Sequence, residues 1–182
     1  AECHSVRHVV LCEGTSPEAQ SLDDWLALGI AEFRTENMGP DDPAALLYSS
    51  GTTGFPKGVT LTHNNIVSNI RTAAEYSGYR AGDRLVVFLP LFHVFAQNYI
   101  MNAGFEAGAT LVLFRRFVPD VVLPGIKSEG ITMFFAVPTI YIALLNASLP
   151  KEALASIRYF FSAAATMPQE ISRRWTDAYG LR

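Results

Sequence analysis

The segment Tyr48–Gly58 concentrates residue types that bind phosphate groups. It holds four Ser or Thr residues, three glycines and one lysine within eleven residues. Ser and Thr hydroxyls donate hydrogen bonds to phosphate oxygens, and one such hydroxyl can also ligate Mg²⁺. The glycines let successive backbone N–H groups converge on an anion, and Lys57 adds a mobile positive charge. The segment therefore predicts a loop that binds the polyphosphate of a nucleotide.

This loop differs from the Walker A motif. In that motif a Lys followed by Ser or Thr opens a helix, whereas here Pro56 precedes Lys57 and Gly58 follows it. The flanking segments, Ala44–Leu47 and Val59–Thr62, are patterned as strands, so we predict a strand–loop–strand unit. A polar hairpin turn without a ligand is the alternative interpretation, because Gly, Ser, Thr and Pro are common in turns.

A second candidate site follows the apolar segment Leu85–Phe88. His93 lies among aromatic residues where a predicted strand gives way to a predicted helix, Phe92–Glu106. In an open α/β sheet, ligands bind beyond the carboxyl ends of the strands. Taken alone, a His between Phe residues is more often a packed residue than a ligand-binding one. No Asp or Glu occurs between Asp83 and Glu106, so the segment offers no carboxylate to the ammonium group of a ligand.

Apolar strands and helices alternate along the second half of the chain. We predict strands at Leu85–Phe88, Ala109–Phe114, Ile131–Val137 and Ile157–Ser162, and helices at Phe92–Glu106, Pro119–Ser128, Thr139–Asn146 and Gln169–Tyr179. Because the strands are apolar on both faces, the predicted fold class is α/β, with a largely parallel sheet and helices on both faces. Upstream we predict one strand over residues 1–12, a short helix capped by Ser21, and a helix that begins at Thr62 or His63 and ends at Gly78.

Composition narrows the function classes. The 182 residues are 49% hydrophobic, enough for one sizeable core, and the net charge of −3 does not indicate nucleic-acid binding. Cys3, His4, His8 and Cys12 lie in a predicted strand, which would hold their side chains apart, so we predict no metal site there. The uncharged stretches 85–105 and 130–150 are broken by Pro and polar residues and predict buried strand–helix pairs, not membrane spans. We expect a cytoplasmic protein, with peripheral membrane contact left open; the sequence does not indicate an oligomeric state.

Three segments resemble those of the adenylate-forming superfamily, which includes acyl-CoA synthetases, coumarate-CoA ligases, firefly luciferase and peptide-synthetase adenylation domains. Ser49–Val59, followed by His63, resembles its phosphate loop, (S/T)-(S/T)-G-(S/T)-T-G-x-P-K-G-(V/I). Pro90–His93 resembles the P-L-x-H segment of its acyl-CoA ligases, where peptide-synthetase domains usually show Phe-Asp-x-Ser. Phe161–Pro168 resembles its Gly-Gly-Ala-x-x-Pro loop with alanines in place of both glycines, and Ala136–Thr139 resembles a segment along the acyl pocket.

The resemblance implies an ATP-dependent acid–thiol ligase. A carboxylate would attack the α-phosphate of ATP to give an acyl adenylate and pyrophosphate, and the thiol of coenzyme A would then displace AMP. ATP, Mg²⁺, coenzyme A and a carboxylic acid are the implied cofactors and partners. The implied nucleotide-binding residues are Ser49, Ser50, Gly51, Thr52, Thr53, Gly54, Lys57, Ala163, Ala164 and Ala165. The implied catalytic residues are Lys57, Thr53 and His93, with Thr53 facing the metal, and the implied acid pocket comprises His93, Val94, Phe95, Gln97, Val137 and Pro138.

The resemblance also implies an expected substrate and indicates which part of a complete family member the chain corresponds to. Phe92-His93 in place of Phe-Asp favours an acyl or aryl acid, and we expect a medium- or long-chain fatty acid. An amino-acid-adenylating or luciferase-like enzyme and a non-catalytic nucleotide-binding module remain alternatives. We predict a fragment of one N-terminal AMP-binding domain: a loosely matched lead-in at 1–43, the phosphate loop and following helix at 44–78, and the alternating region at 79–182. Three motifs of complete members, a Mg²⁺-holding Glu, a ribose-binding Asp and a C-terminal catalytic Lys, have no match here, so we expect the chain alone to be inactive.

Overall fold

The structure is a computed structural model that describes residues 5–29, 32–50 and 54–180. The chain forms two units, with the boundary between Met38 and Gly39. The first unit contains the parallel strands β1 (Val10–Leu11) and β2 (Gln20–Ser21) and the helix α1 (Leu22–Ala27). Ser21 Oγ accepts a hydrogen bond from the backbone N–H of Asp24 (3.0 Å), which confirms the predicted helix cap. The predicted strand over 1–12 is wrong at residues 5–9 and 12, since only Val10 and Leu11 pair with β2, and its residues 1–4 lie outside the described residues.

The second unit begins with an antiparallel hairpin. Its strands are β3 (Pro43–Ser49) and β4 (Lys57–Thr62), and the helix α2 (His63–Tyr76) follows β4 without a linker. Thr62 caps α2: its Oγ1 accepts from the Asn65 backbone N–H (3.2 Å), while its own N–H donates to Asn65 Oδ1 (3.1 Å). The predicted strand–loop–strand unit and the predicted helix start are therefore both confirmed.

Four parallel strands form the sheet of the second unit. They are β5 (Arg84–Val87), β6 (Thr110–Leu113), β7 (Met133–Ala136) and β8 (Tyr159–Ser162), in the spatial order β6–β5–β7–β8. Every neighbouring pair is parallel, so the predicted parallel α/β sheet is confirmed. In a parallel sheet, each strand must be joined to the next by a crossover that returns to the amino edge of the sheet.

A helical segment follows each strand, and the segments after β5, β6 and β7 are the crossovers. A π-helix (Phe95–Asn102) and α3 (Ala103–Glu106) follow β5, α4 (Pro119–Ser128) follows β6, α5 (Pro138–Asn146) and a 3₁₀-helix (Lys151–Leu154) follow β7, and α6 (Gln169–Tyr179) follows β8. The helix predicted at Phe92–Glu106 begins three residues late. A turn in which the His93 N–H donates to the Pro90 carbonyl (3.0 Å) occupies its expected start.

Side chains that alternate along the strands build a core on each face of the sheet. Val86, Phe134 and Phe160 pack toward α4, α5 and α6, where Ile126, Tyr141 and Trp175 belong to the same cluster. Leu85, Val87, Met133 and Phe135 pack on the other face, against Ala96 and Ile100 of the π-helix. Both faces are thus covered, as expected for parallel strands, and the loops at the strand ends are the exposed parts of the sheet.

A charged network closes the amino edge of the sheet. Asp83, which directly precedes β5, is buried and pairs with Arg158, which directly precedes β8. The Asp83 carboxylate also accepts hydrogen bonds from Thr132 Oγ1 (2.8 Å) and the Arg80 N–H (2.7 Å). Burial alone would raise the pKa of Asp83, but the hydrogen bonds from Arg158, Thr132 and Arg80 outweigh it and hold this pKa below its ordinary value.

None of the helices in the described ranges combines the length and the apolar character that crossing a bilayer requires.

Candidate functional site

The first predicted site is the loop at the tip of the β3–β4 hairpin. Ser49 ends β3, Lys57 begins β4, and the two residues are register partners. Both are exposed, and the Lys57 ammonium group forms no ion pair with any residue in the described ranges. Gly54 has a φ of +86°, a left-handed conformation that glycine adopts without steric cost. The base of the loop therefore presents a hydroxyl and a cation to solvent, as anion binding requires.

The tip of this loop is described only in part. Ser50 is exposed next to Ser49. Gly51, Thr52 and Thr53 lie outside the described residues, so the nucleotide-binding and metal-facing roles assigned to them stay predictions.

The second predicted site is a cleft of about 150 Å³ beyond the carboxyl ends of β5, β7 and β8, which we call the His93 cleft. Its walls come from the segment after β5, the π-helix, the residue before α5 and the loop between β8 and α6. They are Leu89, Pro90, Phe92, His93, Phe95, Ala96, Val137 and Ala164. The fold thus brings together four of the predicted site residues, His93, Phe95, Val137 and Ala164, from the segments that follow three different strands. Ligands of open α/β sheets bind at this edge.

Backbone hydrogen bonds orient His93. Its Nδ1 accepts a hydrogen bond from the Phe95 N–H (3.2 Å), and its carbonyl accepts from the Gln97 N–H (3.0 Å). Because Nδ1 is an acceptor here, the neutral imidazole carries its proton on Nε2. His93 is exposed, so this Nε2–H is available to donate to a ligand oxygen.

Stacked aromatic rings support the floor of the cleft. Phe95 contacts both Tyr99 and Phe161, with ring centroids 5.8 and 6.0 Å apart, and Tyr99 stacks on Phe161 at 4.8 Å. The Tyr99 hydroxyl lies 2.6 Å from Ser77 Oγ, and burial raises the pKa of this tyrosine. Sequence reasoning missed Tyr99, although its position four residues after Phe95 on a helix could have indicated a shared face.

Two residues assigned to the acid pocket line a different cleft. Val94 and Gln97 border a cavity of about 180 Å³ between the hairpin, α2 and the π-helix. Its remaining walls are Ala44, Ala45, Leu47, Leu61, Ile66, Asn98 and Asn102. We call this cavity the amide cleft, because Gln97, Asn98 and Asn102 form one wall. The winding of the π-helix sets this division, because Val94, Gln97 and Asn98 fall on one of its faces and Phe95 and Ala96 on another.

The loop after β8 carries the three alanines that the resemblance assigns to nucleotide binding. Ala164 has a φ of +67°, a left-handed conformation that costs a non-glycine residue about 1–2 kcal/mol. Its neighbour Ala163 donates its N–H to the Ala136 carbonyl (3.3 Å), and Ala165 is exposed. The strained residue is the one that lines the His93 cleft, and strain of this kind clusters at functional sites.

Pro138, the last residue assigned to the acid pocket, is buried at the first position of α5. It is not among the residues that line the His93 cleft, whereas Val137 directly before it is. Pro138 therefore shapes this wall through the backbone, because its ring fixes the start of α5.

No cluster of three or more His, Cys, Asp or Glu suited to a metal ion occurs in the part of the chain that the structure describes. His8, weighed above as a ligand, contacts the ring of Trp25, with centroids 4.9 Å apart.

Comparison with known proteins decides the family. The profile of the AMP-binding enzyme family matches residues 2–181. The chain belongs to the AMP-binding enzyme family. The predicted membership of the adenylate-forming superfamily is thereby confirmed, and residues 2–43 of the loosely matched lead-in fall within the match.

Relatives of this AMP-binding chain are acid–CoA ligases. It is 36% identical over 162 residues to 4-coumarate-CoA ligase 1 of Narcissus pseudonarcissus, covering 86% of this chain and 28% of that ligase. ATP-bound MatB from Rhodopseudomonas palustris superposes with a TM-score of 0.80 at 32% identity, over 90% of this chain and 34% of that protein. The anthranilate CoA ligase AuaEII, in complex with anthranoyl-AMP, gives a TM-score of 0.82 at 29% identity, over 97% of this chain and 35% of its own. The chain thus spans about a third or less of the length of these proteins.

Proposed function

We propose that the complete protein activates an aromatic carboxylic acid with ATP and transfers the acyl group to coenzyme A. One observation carries the proposal: the His93 cleft joins residues that follow three strands at the carboxyl edge of the sheet, and its walls are apolar apart from His93. A flat apolar ring fits such walls, and the Nε2–H of His93 can donate to an oxygen of the acid.

Charge argues against an amino acid as the substrate. The ammonium group of a bound amino acid would need a carboxylate partner to offset the loss of its hydration. The lining of the His93 cleft contains neither Asp nor Glu. An uncharged acyl or aryl group meets no such requirement.

The phosphate loop would hold the nucleotide. Ser49, Ser50 and Lys57 are exposed at its base, and we assign the β- and γ-phosphates to these residues together with Thr52 and Thr53. Bound Mg²⁺ would neutralise phosphate charge, with the Thr53 hydroxyl as its ligand from this chain. We assign the adenine to the loop Ala163–Ala165, where Ala165 and the strained Ala164 are exposed.

The chemistry proceeds in two displacements. A carboxylate oxygen attacks the α-phosphorus, and the bond from this phosphorus to pyrophosphate breaks. The sulfur of coenzyme A then attacks the acyl carbon, and the bond to AMP breaks. The residues of this chain would contribute positioning and charge neutralisation, which dominate phosphoryl-type transfers. Lys57 would neutralise the departing pyrophosphate, and His93 would hold the acid.

The substrate class rests on relatives as well as on the cleft. Coumarate and anthranilate, named in two of the relatives, are aromatic acids. The fatty acid expected from the sequence is the second candidate, because the apolar walls of the His93 cleft would also accept an alkyl chain.

A substrate panel on the complete protein tests this function. We would measure pyrophosphate release and AMP release with hydroxycinnamates, benzoates, fatty acids and amino acids. The matched variants are Phe95→Ala, which removes a ring from the His93 cleft, and Val94→Ala, which alters the neighbouring residue in the amide cleft. We expect Phe95→Ala to raise the KM for the acid about tenfold, through lost apolar contact, and Val94→Ala to change it by less than about twofold.

The outcomes separate the candidates. A kcat/KM for aromatic acids at least about tenfold above that for fatty acids supports the proposal, since such a ratio is within reach of pocket complementarity. The reverse ratio favours the fatty-acid candidate. Activity with amino acids alone, or ATP binding without any adenylate, overturns both.

A further inference from the structure

We infer that the hydrogen bond between the amide side chains of Asn69 and Asn98 fixes the position of the phosphate loop relative to the His93 cleft, an inference that rests on the proposed function. Asn69 lies on α2 and Asn98 on the π-helix. The two residues join the element that continues the phosphate loop to the element that forms a wall of the cleft. They are positioning residues, since neither of them lines the His93 cleft.

Helix α2 is a rigid extension of the hairpin. The capping box of Thr62 connects β4 to α2 with no intervening residue. The backbone N–H of His63 donates to the Asp42 carbonyl (3.1 Å), and that of Asn64 donates to the Pro40 carbonyl (2.8 Å). Both arms of the hairpin are thus tied to the start of α2, so a displacement of this helix carries the base of the phosphate loop with it.

The π-helix separates the two clefts. Phe95 and Ala96 line the His93 cleft, while Gln97 and Asn98 line the amide cleft next to the hairpin. A π-helix of two turns is rare, and such segments occur frequently at functional sites. Any tilt of this helix would move Phe95. It would also move His93, because the His93 carbonyl accepts a hydrogen bond from the Gln97 N–H.

A chain of amides crosses from α2 to the π-helix. Asn98 Nδ2 donates to Asn69 Oδ1 at 2.7 Å, and Asn102 Nδ2 donates to Asn98 Oδ1 at 3.3 Å. The contact between Ser77, which caps the C-terminus of α2, and Tyr99 links the same two helices. Apolar packing between them, centred on Ile70, leaves small relative rotations possible, whereas directional hydrogen bonds such as those of Asn98 and Tyr99 restrict them.

Loss of the hydrogen bond between Asn69 and Asn98 should therefore affect the reaction rate more than the stability of the fold. Asn69 is exposed and Asn98 is half-buried, so their hydrogen bond contributes only about 1 kcal/mol to folding. The attack of a carboxylate on the α-phosphorus depends on the relative position of two substrates held by different elements. A misplacement of about 1 Å can lower such a rate about a hundredfold.

The test uses the complete protein. Asn69→Ala, Asn98→Ala and the double variant remove the hydrogen bond from either or both sides. Asn69→Asp keeps an acceptor oxygen for Asn98 Nδ2 and serves as the rescue variant. Asn64→Ala is the matched control, because Asn64 is an exposed amide on α2 whose side chain bonds to none of the described residues. Adenylate formation, thioester formation from supplied adenylate, and thermal unfolding are measured for each variant.

We expect each Ala variant to slow adenylate formation about tenfold, with thioester formation and the Tm nearly unchanged. The double variant should be no slower than Asn98→Ala, because that substitution already removes both the hydrogen bond to Asn69 and the one from Asn102. Asn69→Asp should restore the rate. If the wild type forms adenylate and all variants form it at the same rate, the inference is overturned and the proposed function stands. The same conclusion follows if both half-reactions slow together in proportion to a fall in Tm. Wild-type protein that forms no adenylate overturns the proposed function and this inference with it.

Discussion

Replacing Arg158 with Met should destabilise the fold without slowing the reaction. Arg158 bonds to Asp83 through Nε (2.9 Å) and Nη2, and its Nη2 also donates to the Gly78 carbonyl (2.7 Å). The Asp83 side chain is only 4% exposed. Methionine would keep most of the apolar stem but leave a buried carboxylate without its cation. Removing one partner of a buried pair typically costs about 3–5 kcal/mol.

The structure places the expected cost at the lower end of that range. Asp83 would keep the hydrogen bonds from Thr132 and the Arg80 N–H, and Arg158 itself is 30% exposed. We therefore expect a loss of about 3 kcal/mol, which lowers the Tm by roughly 2–4 °C per kcal/mol in a domain of 150–250 residues. The matched control is Arg71→Met. Arg71 forms a salt bridge with Glu106, and the two side chains are 68% and 37% exposed, respectively. This substitution should therefore cost about 0–1 kcal/mol.

The pH dependence gives the sign of the effect. The pKa of Asp83 is lowered in the folded state, so its ionised form stabilises the protein above its ordinary pKa of about 4. This stabilisation is lost as the pH falls below about 4 and then through the lowered pKa that Asp83 has in the folded state. The stability difference between wild type and Arg158→Met should therefore shrink over the same range.

Urea and thermal unfolding of the complete protein, with kcat measured below the unfolding transition, provide the test. Asp83 and Arg158 lie at the amino edge of the sheet, whereas the His93 cleft lies at the carboxyl edge, so kcat should not change. Equal destabilisation by Arg158→Met and Arg71→Met, or a fall in kcat at full stability, would refute the reasoning.

Two further predictions concern the site. Lys57→Ala in the complete protein should slow adenylate formation more than thioester formation, because only the first half-reaction expels pyrophosphate; equal slowing in rapid-quench measurements would contradict the role assigned to Lys57. Ala164→Gly should relieve about 1 kcal/mol of left-handed strain and widen the His93 cleft, so bulkier acids should gain in kcat/KM. Ser148→Gly is the control for that variant, since Ser148 also has a left-handed φ (+50°) but does not line the cleft; if it alters acid selectivity equally, the effect of Ala164→Gly is not local.

Local sequence determined the elements of this protein and the chemistry of its phosphate loop. The cap at Thr62, the proline at the start of α5 and the glycine after α6 each act within a few residues, so the sequence predicts these boundaries directly. Strands apolar on both faces likewise predict a parallel sheet, because each face needs its own cover of helices. Lys57 and the hydroxyls around it mark an anion-binding loop by residue type alone.

Tertiary structure decided which residues meet. Neighbours in sequence, such as Val94 and Phe95, line different clefts, and His93 meets Val137 and Ala164 only because β5, β7 and β8 end at one edge of the sheet. The π-helical winding, the contact between Asn69 and Asn98, and the stacking of Tyr99 on Phe161 leave no local sequence signal. Each depends on packing between elements that are far apart along the chain, and such packing overrides local propensity.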